Sequence, residues 1–149
     1  MFNIVLIEPE IPNNTGNIGR LCLASGCKLH LVQPFGFEIS DSRLKRAGLD
    51  YWQHLKVEIH GSQKAFFQRY KDQAMAFLSS HGKATYLDIP FKKESFLIFG
   101  KESTGLDKEL LAKESEQSYY IPLHSDKIRS LNLANAVGIV IYEGLRQLA

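Results

Sequence analysis

The chain has 149 residues, 44% hydrophobic and 23% charged, with a formal net charge of +2. That length predicts a single domain over residues 1–149 with a core of its own, and the composition excludes a disordered, collagenous or disulfide-stapled chain. The weak net charge does not by itself announce a nucleic-acid partner, and no apolar run approaches the about 20 residues that span a bilayer.

The apolar run Phe2 to Ile7 reads as a buried parallel strand. Glu8-Pro9-Glu10-Ile11-Pro12-Asn13-Asn14 breaks it, and the prolines argue against regular helix there. A helix is expected from Thr15 to Ser25, with Ile18, Leu21, Cys22 and Ser25 on one face and Gly26 as its stop. Leu29 to Val32 is the second strand, closed by Gln33-Pro34-Phe35-Gly36. Asp41 to Leu49 reads as a short basic helix carrying Arg43, Lys45 and Arg46. A third strand falls at Val57 to Ile59, a helix at Gln63 to Tyr70 and a strand at Ala74 to Leu78. Tyr86-Leu87 is a further strand candidate, and Phe96 to Phe99 is a buried strand. Asp107 to Ala112 is a helix that Asp107 is placed to cap. Tyr119 to Leu123 is a strand, and Asn132 to Leu148 the longest helix, with Leu133, Ala136, Val137, Val140, Ile141 and Leu145 inward. This alternation predicts an α/β fold, a parallel sheet covered by helices on both faces.

Three stretches hold the unusual residues: 13–20 (NNTGNIGR), 99–106 (FGKESTGL) and 130–136 (SLNLANA). Each sits where a strand gives way to a helix, and in open α/β sheets such turns meet at one rim, where ligands bind. The glycines do not complete a nucleotide fingerprint. Gly100 and Gly105 frame a phosphate loop, but Leu106 and Asp107 stand where its Lys and hydroxyl belong, and Gly16 and Gly19 do not fit G-x-G-x-x-G. The five histidines, His30, His54, His60, His81 and His124, show no helical ligand spacing, so no metal is expected. Cys22 and Cys27 fit neither a redox nor a zinc pattern and read as reduced core residues of a cytoplasmic protein. G-x-S-x-G is absent, so a serine nucleophile has no support.

Arg20 falls early in a helix beside the polar loop, where it is either a solvated charge or a planar fork for phosphate or carboxylate, with Glu8 and Glu10 as nearby ion-pair candidates. Glu102 is placed either to cap the helix near Asp107 or to hold Arg20 or a ligand. Ser130 either caps the last helix or acts directly. Arg43-Leu44-Lys45-Arg46, Lys92-Lys93, Lys127 and Arg129 are basic clusters, the first interleaved with Phe35, Phe37, Tyr51 and Trp52. Such a mixture suits RNA backbone and unpaired bases, or it is a solvated face.

Taken together, Asn14-Thr15-Gly16-Asn17-Ile18-Gly19-Arg20, Ile98 to Leu106, and Ser130 to Ala136 running on to Tyr142-Glu143 resemble the three ordered motifs of the SPOUT superfamily of RNA methyltransferases. Glu8 to Asn17 and Arg46-Ala47-Gly48-Leu49-Asp50-Tyr51 are similar to its small bacterial branch, which methylates the 2′-oxygen of the tRNA wobble nucleotide, cytidine or uridine. The resemblance implies a C-terminal deep trefoil knot, which no periodicity reveals and which general threading rules disfavour. It implies S-adenosylmethionine as methyl donor, no metal, a tRNA anticodon stem-loop as substrate and a homodimer as working unit. The cofactor would lie on Leu78, Gly100, Ile121 and Leu131, with Ser130 beside them, and a side chain at Gly100 would intrude on it. Asn14, Arg20, Glu102, Ser130 and Asn132 would carry the substrate side, and Tyr142 would sit near the dimer interface or the site. Arg20 would either take the proton of the 2′-hydroxyl or clamp the substrate phosphate.

Overall fold

The structure is a computed structural model that describes residues 1–40, 42–43, 46 and 49–149. A seven-stranded parallel sheet organises it: β1 (Asn3–Ile7), β2 (Lys28–Val32), β3 (Val57–His60), β4 (Met75–Leu78), β5 (Ala84–Thr85), β6 (Phe96–Phe99) and β7 (Ser118–Tyr120), in the spatial order β3-β2-β1-β6-β4-β7-β5. Four α-helices have both ends among the described residues: α1 (Pro12–Ser25), α2 (Gln63–Arg69), α3 (Lys108–Lys113) and α4 (Leu133–Leu148).

Side chains alternate across the strands and fill two cores, as a sheet covered on both sides requires. Ile4 and Leu6 of β1, Leu29 and Leu31 of β2, and Leu97 and Phe99 of β6 meet Ile18 and Cys22 of α1 and Val137, Val140 and Ile141 of α4. Val5, Ile7, Val32, Phe96 and Ile98 point the other way, onto Phe66 of α2 and toward Leu110 and Leu111 of α3. Cys22 and Cys27 are buried free thiols, in keeping with their reading as reduced core residues. No helix among the described residues is long and apolar enough to cross a membrane.

Several boundaries differ from the sequence reading. Helix α1 begins at Pro12 rather than Thr15, because a proline in the first turn forfeits only an N–H that has no intrahelical partner. Gly26 ends it in a left-handed conformation, φ 73°, as expected. Tyr86-Leu87 is not a strand; it belongs to a 3₁₀ turn, Tyr86–Asp88, and the edge strand lies just before it at Ala84–Thr85. Strand β7 stops at Tyr120 instead of reaching Leu123. Asp107 holds the N-cap position of α3, but its carboxylate accepts from Gln63 Nε2 (3.1 Å) instead of capping. Of the basic helix expected at Asp41 to Leu49, Ser42, Arg43 and Arg46 have helical backbone, whereas Asp41, Leu44, Lys45, Ala47 and Gly48 lie outside the described residues.

The α2 side of the sheet contains a polar cluster that helical spacing could not reveal. His30 of β2 lies opposite Glu58 of β3, and His60 sits two residues further along β3. Asn3 Nδ2 donates to the Glu94 carbonyl (3.1 Å), which turns Asn3 Oδ1 toward His30 Nε2 at 2.9 Å. His30 therefore carries its proton on Nε2, and its Nδ1 accepts from His60 Nε2 at 3.0 Å. Glu58 receives Lys28 Nζ (2.6 Å), Arg69 Nη1 (2.8 Å) and the Tyr70 hydroxyl (2.8 Å).

Burial is the main cause that takes His30 down to about 4, against the opposing pull of the Glu58 charge; burial likewise lowers His60. Burial would raise Glu58, but the Lys28 and Tyr70 hydrogen bonds and the Lys28 charge outweigh it and bring that carboxyl to about 2. The unfolded chain therefore protonates at His30 before the folded one does as pH falls. Its contribution to stability is intact above about pH 6.5 and declines toward pH 4, by roughly 3 kcal/mol in total. The Glu58 contribution is intact above its ordinary pKa of 4.5 and is lost as pH falls through about 2. Urea midpoints between pH 7 and 4 should show the first decline, and His30→Asn should start less stable but with a shallower slope across that window.

Candidate active site

Strands β6, β4 and β7 are neighbours, and their carboxyl ends form one rim. Leu78 ends β4 beside Phe99 and Tyr119, Gly100 follows β6, and Ile121 follows β7. The structure thus brings together three of the four residues expected to hold a cofactor, and Leu131, half-buried, lies in the segment leading from this rim to α4.

The first polar loop leaves β1 at Glu8, whose backbone is left-handed at φ 53°. Glu8 accepts from Gln63 Nε2 (2.9 Å) and pairs with Lys101 Nζ (3.0 Å); the Gln63 bond, ahead of the Lys101 charge, lowers its pKa despite partial burial. Helix α1 then starts without a capping side chain, because its N-cap residue is Ile11. The open N–H groups of a helix start need acceptors. Glu102, from the second loop, supplies acceptors to the N–H groups of the N-cap residue and of the residue before it. Its Oε1 accepts from the Glu10 N–H and its Oε2 from the Ile11 N–H, both at 2.9 Å. Glu10 returns the contact, accepting from the Ser103 N–H at 2.9 Å, and that bond lowers the Glu10 pKa.

Asn14 carries the connection onward. Its Nδ2 donates to Glu102 Oε2 (3.2 Å), and its Oδ1 accepts from Asn132 Nδ2 (3.1 Å). Asn132 is also the N-cap of α4, its Oδ1 accepting from the Asn135 N–H at 3.2 Å. One hydrogen-bonded chain, Glu102–Asn14–Asn132, therefore fastens all three loops. Asn14, Arg20 and Asn132 line a cleft of about 590 Å³ between α1 and α4, together with Asn17, Leu21 and Asn135.

A family model described as SpoU rRNA methylase matches residues 1–142. The chain belongs to the SpoU rRNA methylase family. A relative from Escherichia coli named tRNA (cytidine(34)-2′-O)-methyltransferase is 44% identical over 149 residues, covering 99% of this chain and 94% of its own. A solved structure described as giving insight into 2-OH methylation of C/U34 on tRNA superposes with a TM-score of 0.94 at 43% identity, over 99% of this chain and 96% of that one. A methyltransferase for rRNA from Sinorhizobium meliloti, solved with S-adenosylmethionine bound, superposes with a TM-score of 0.87 at 26% identity, over 99% of this chain and 57% of that one.

Within this SpoU-family frame, several expectations for single residues need correction. Glu102 neither caps α3 nor holds Arg20; it caps α1. Ser130 does not cap α4, a task Asn132 performs, and it stands exposed two residues earlier. A side chain at Gly100 would strike the chain's own backbone before any ligand, its Cβ falling 2.1 Å from the Gly105 carbonyl carbon and 2.2 Å from the Leu106 nitrogen. The Gly105 N–H closes that turn onto the Lys101 carbonyl at 2.8 Å, with Gly105 left-handed at φ 72°. Glu8 and Glu10 are occupied elsewhere and do not pair with Arg20, whose guanidinium lies over the Tyr51 ring, 4.7 Å from its centroid.

The aromatic side chains interleaved with basic residues are mostly committed within the fold. Phe35 and Phe37 stack on one another at 5.7 Å, and Trp52 packs on α1. Glu10, Ser103 and Gln63 were not legible as site residues. The available signal was indirect: a helix starting at Pro12 behind Ile11 lacks a local acceptor and must borrow one. The convergence of His30, Glu58 and His60 also corrects the impression that no histidines assemble. Their ligand atoms lie within 4.8 Å of one another. They are engaged with each other and with Lys28, Arg69 and Tyr70, so the protein's own donors already satisfy the carboxylate.

Glu102→Gln replaces one acceptor oxygen with a donor that must face an N–H. It should destabilise the protein by about 1–3 kcal/mol, measured by urea unfolding at pH 7. A change within error would show that the α1 start is not held by this carboxylate.

Proposed function

We propose that this protein transfers the methyl group of S-adenosylmethionine to the 2′-oxygen of the wobble nucleotide, cytidine or modified uridine, in a tRNA anticodon. The observation that carries this reading is the Glu102–Asn14–Asn132 chain, which assembles all three motif loops beside an exposed Arg20. The name of the Escherichia coli relative supports the substrate, and the cofactor-bound family member supports the methyl donor.

The rim fits such a cofactor, since Leu78 and Ile121 offer apolar surface at neighbouring strand ends next to the backbone of Gly100, as a purine and its edge need. Bound there, the cofactor supplies a methyl group on a positively charged sulfonium. Gly100, Ile121 and Leu131 would hold it mainly through backbone, with Ser130 alongside. Asn14, Glu102 and Asn132 keep the loops in register. Arg20 presents a planar set of donors to the RNA phosphate. A ribose hydroxyl is a weak nucleophile, so its proton must be shared or removed as the O–C bond forms. A guanidinium carries donors only and has no lone pair with which to accept that proton.

The working unit is proposed to be two copies. Ile139 and Tyr142 of α4 are exposed at 38% and 51%, a pair of large apolar side chains on a helix that borders the cleft. A second copy would also extend the basic surface offered by Lys127 and Arg129, which suits an anticodon stem-loop in the cytoplasm. Segments 79–83 and 118–120 lie in direct backbone contact, with Ser79 N–H on the Tyr119 carbonyl (2.9 Å) and Lys83 N–H on the Ser118 carbonyl (3.1 Å). These bonds continue the β4–β7 and β7–β5 pairings, and a C-terminal knot within one domain is part of the proposed reading.

Labelled S-adenosylmethionine and bulk tRNA lacking wobble ribose methylation should yield label on the 2′-oxygen of nucleotide 34, located by nuclease mapping. Label at another position or on ribosomal RNA would move the substrate within the same reaction, and absence of cofactor binding in calorimetry would refute the enzyme. Arg20→Ala should reduce turnover by about 10²–10⁴-fold while cofactor binding persists. Sedimentation should give the mass of two copies for the protein and of one for the Ile139→Asp, Tyr142→Asp double variant; a single copy in the unaltered protein would overturn the dimer.

A further inference from the structure

The 3₁₀ turn Leu49–His54 docks onto α1 through Trp52. A Cβ on Gly19 would come within 2.8 Å of Trp52 Cζ3 and 3.0 Å of Leu55 Cδ2, so the absence of a side chain at Gly19 is what admits the indole. The Leu55 N–H donates to the Trp52 carbonyl at 3.1 Å and closes the turn. Tyr51 immediately precedes Trp52, and Arg20 immediately follows Gly19. Docking one pair therefore delivers the other: the Arg20 guanidinium carbon stands 4.7 Å from the Tyr51 ring centroid.

No carboxylate competes for Arg20 among the described residues. Glu8 is taken by Gln63 and Lys101, Glu10 by the Ser103 N–H, and Glu102 by the α1 start. The difference matters chemically. A carboxylate would consume the N–H donors of the fork. A ring face attracts the cation through its quadrupole and leaves those donors to a ligand. The attraction also depends on charge, since a neutral guanidine gains little from it. Arg20 meanwhile lines the cleft shared with Asn14 and Asn132.

We propose that Tyr51 is a positioning residue for methyl transfer: its ring holds Arg20 as an oriented cation in the cleft, so that Arg20 clamps the substrate phosphate and does not take the 2′-hydroxyl proton. The inference rests on the methyltransferase reading above. The ribose oxygen forms its bond to the methyl carbon, the carbon–sulfur bond breaks with its electron pair going to sulfur, and the hydroxyl proton passes to solvent water. Trp52 and Gly19 act one step further back, by placing the turn that carries Tyr51.

The test replaces Tyr51 with Leu, with Phe and with ring-fluorinated phenylalanines, in the full-length protein, and measures methylation of bulk tRNA lacking wobble methylation. Fluorination drains the ring face of negative charge while nearly preserving its shape, so folding is not the variable. The expected result is a kcat loss of roughly 3- to 30-fold for Tyr51→Leu, recovery of most of that loss in Tyr51→Phe, and a graded decline with fluorine content, at unchanged KM for S-adenosylmethionine. In the Arg20→Lys background, Tyr51→Leu should cost less than it does alone, because the pair acts as a unit. In the cofactor-free protein, ring-current-shifted NMR signals of the Arg20 side chain should disappear in Tyr51→Leu. A rate insensitive to fluorination, a loss confined to KM for tRNA, or equal costs in both Arg20 backgrounds would overturn the role and leave the methyltransferase reading standing. Failure of the unaltered protein to methylate any RNA would instead refute that reading, and this role with it.

Discussion

The carboxylate of Glu102 receives donors from two residues of the β1–α1 connection and one in the first turn of α1: the backbone N–H groups of Glu10 and Ile11 and the side-chain amide of Asn14. A negatively charged group at a helix start is favoured both by the open N–H groups and by the helix dipole. Here the group belongs to a loop about 90 residues away in the chain. It fixes where α1 begins and how the β6–α3 loop sits against it. Because Asn14 passes the connection to Asn132, it also sets the start of α4. Without this carboxylate the three loops would share a rim but not a geometry.

The sheet makes that arrangement possible at low cost. All strands run parallel, so every strand-to-helix turn emerges at the carboxyl rim. Placing β6, β4 and β7 side by side brings Gly100, Leu78 and Ile121 to contiguous strand ends, although they are far apart in sequence. The two faces beneath are divided differently. One is almost wholly apolar under α1 and α4, while the other carries the His30–His60–Glu58 cluster under α2. In that cluster every donor has a named acceptor, which is how charged and imidazole groups are tolerated in a buried setting.

Arg20 shows how a residue can be identified by sequence and still be misread in its surroundings. Its place early in α1, behind the Asn-Thr-Gly-Asn stretch, marks it as a site residue. Its expected ion-pair candidates, Glu8 and Glu10, turn out to be engaged with other groups, and an aromatic ring stands in their place. Glu102 illustrates the converse. It was legible as important, yet neither the helix near Asp107 nor Arg20 is its partner; it meets the start of α1, which the order of residues does not place beside it. Gly100 is required by its own loop closure, with Gly105 backbone where a Cβ would stand.

The sequence alone determined the alternation of strands and helices, the free buried cysteines, the stop of α1 at Gly26 and the three polar loops. Each of these is a local property, set by periodicity, turn chemistry or residue type within a few positions. The motif resemblance added the family, which shared ancestry preserves even where the physics of the turns is silent. The tertiary structure decided what depends on distant residues meeting: the capping of α1 by Glu102, the Asn14–Asn132 bond, the seat of Tyr51 on Arg20, and the pairing of His30 with His60 across β2 and β3. A hydrogen bond is specified by the positions of two groups in space, and chain separation carries almost no information about that position once strands have been reordered into a sheet.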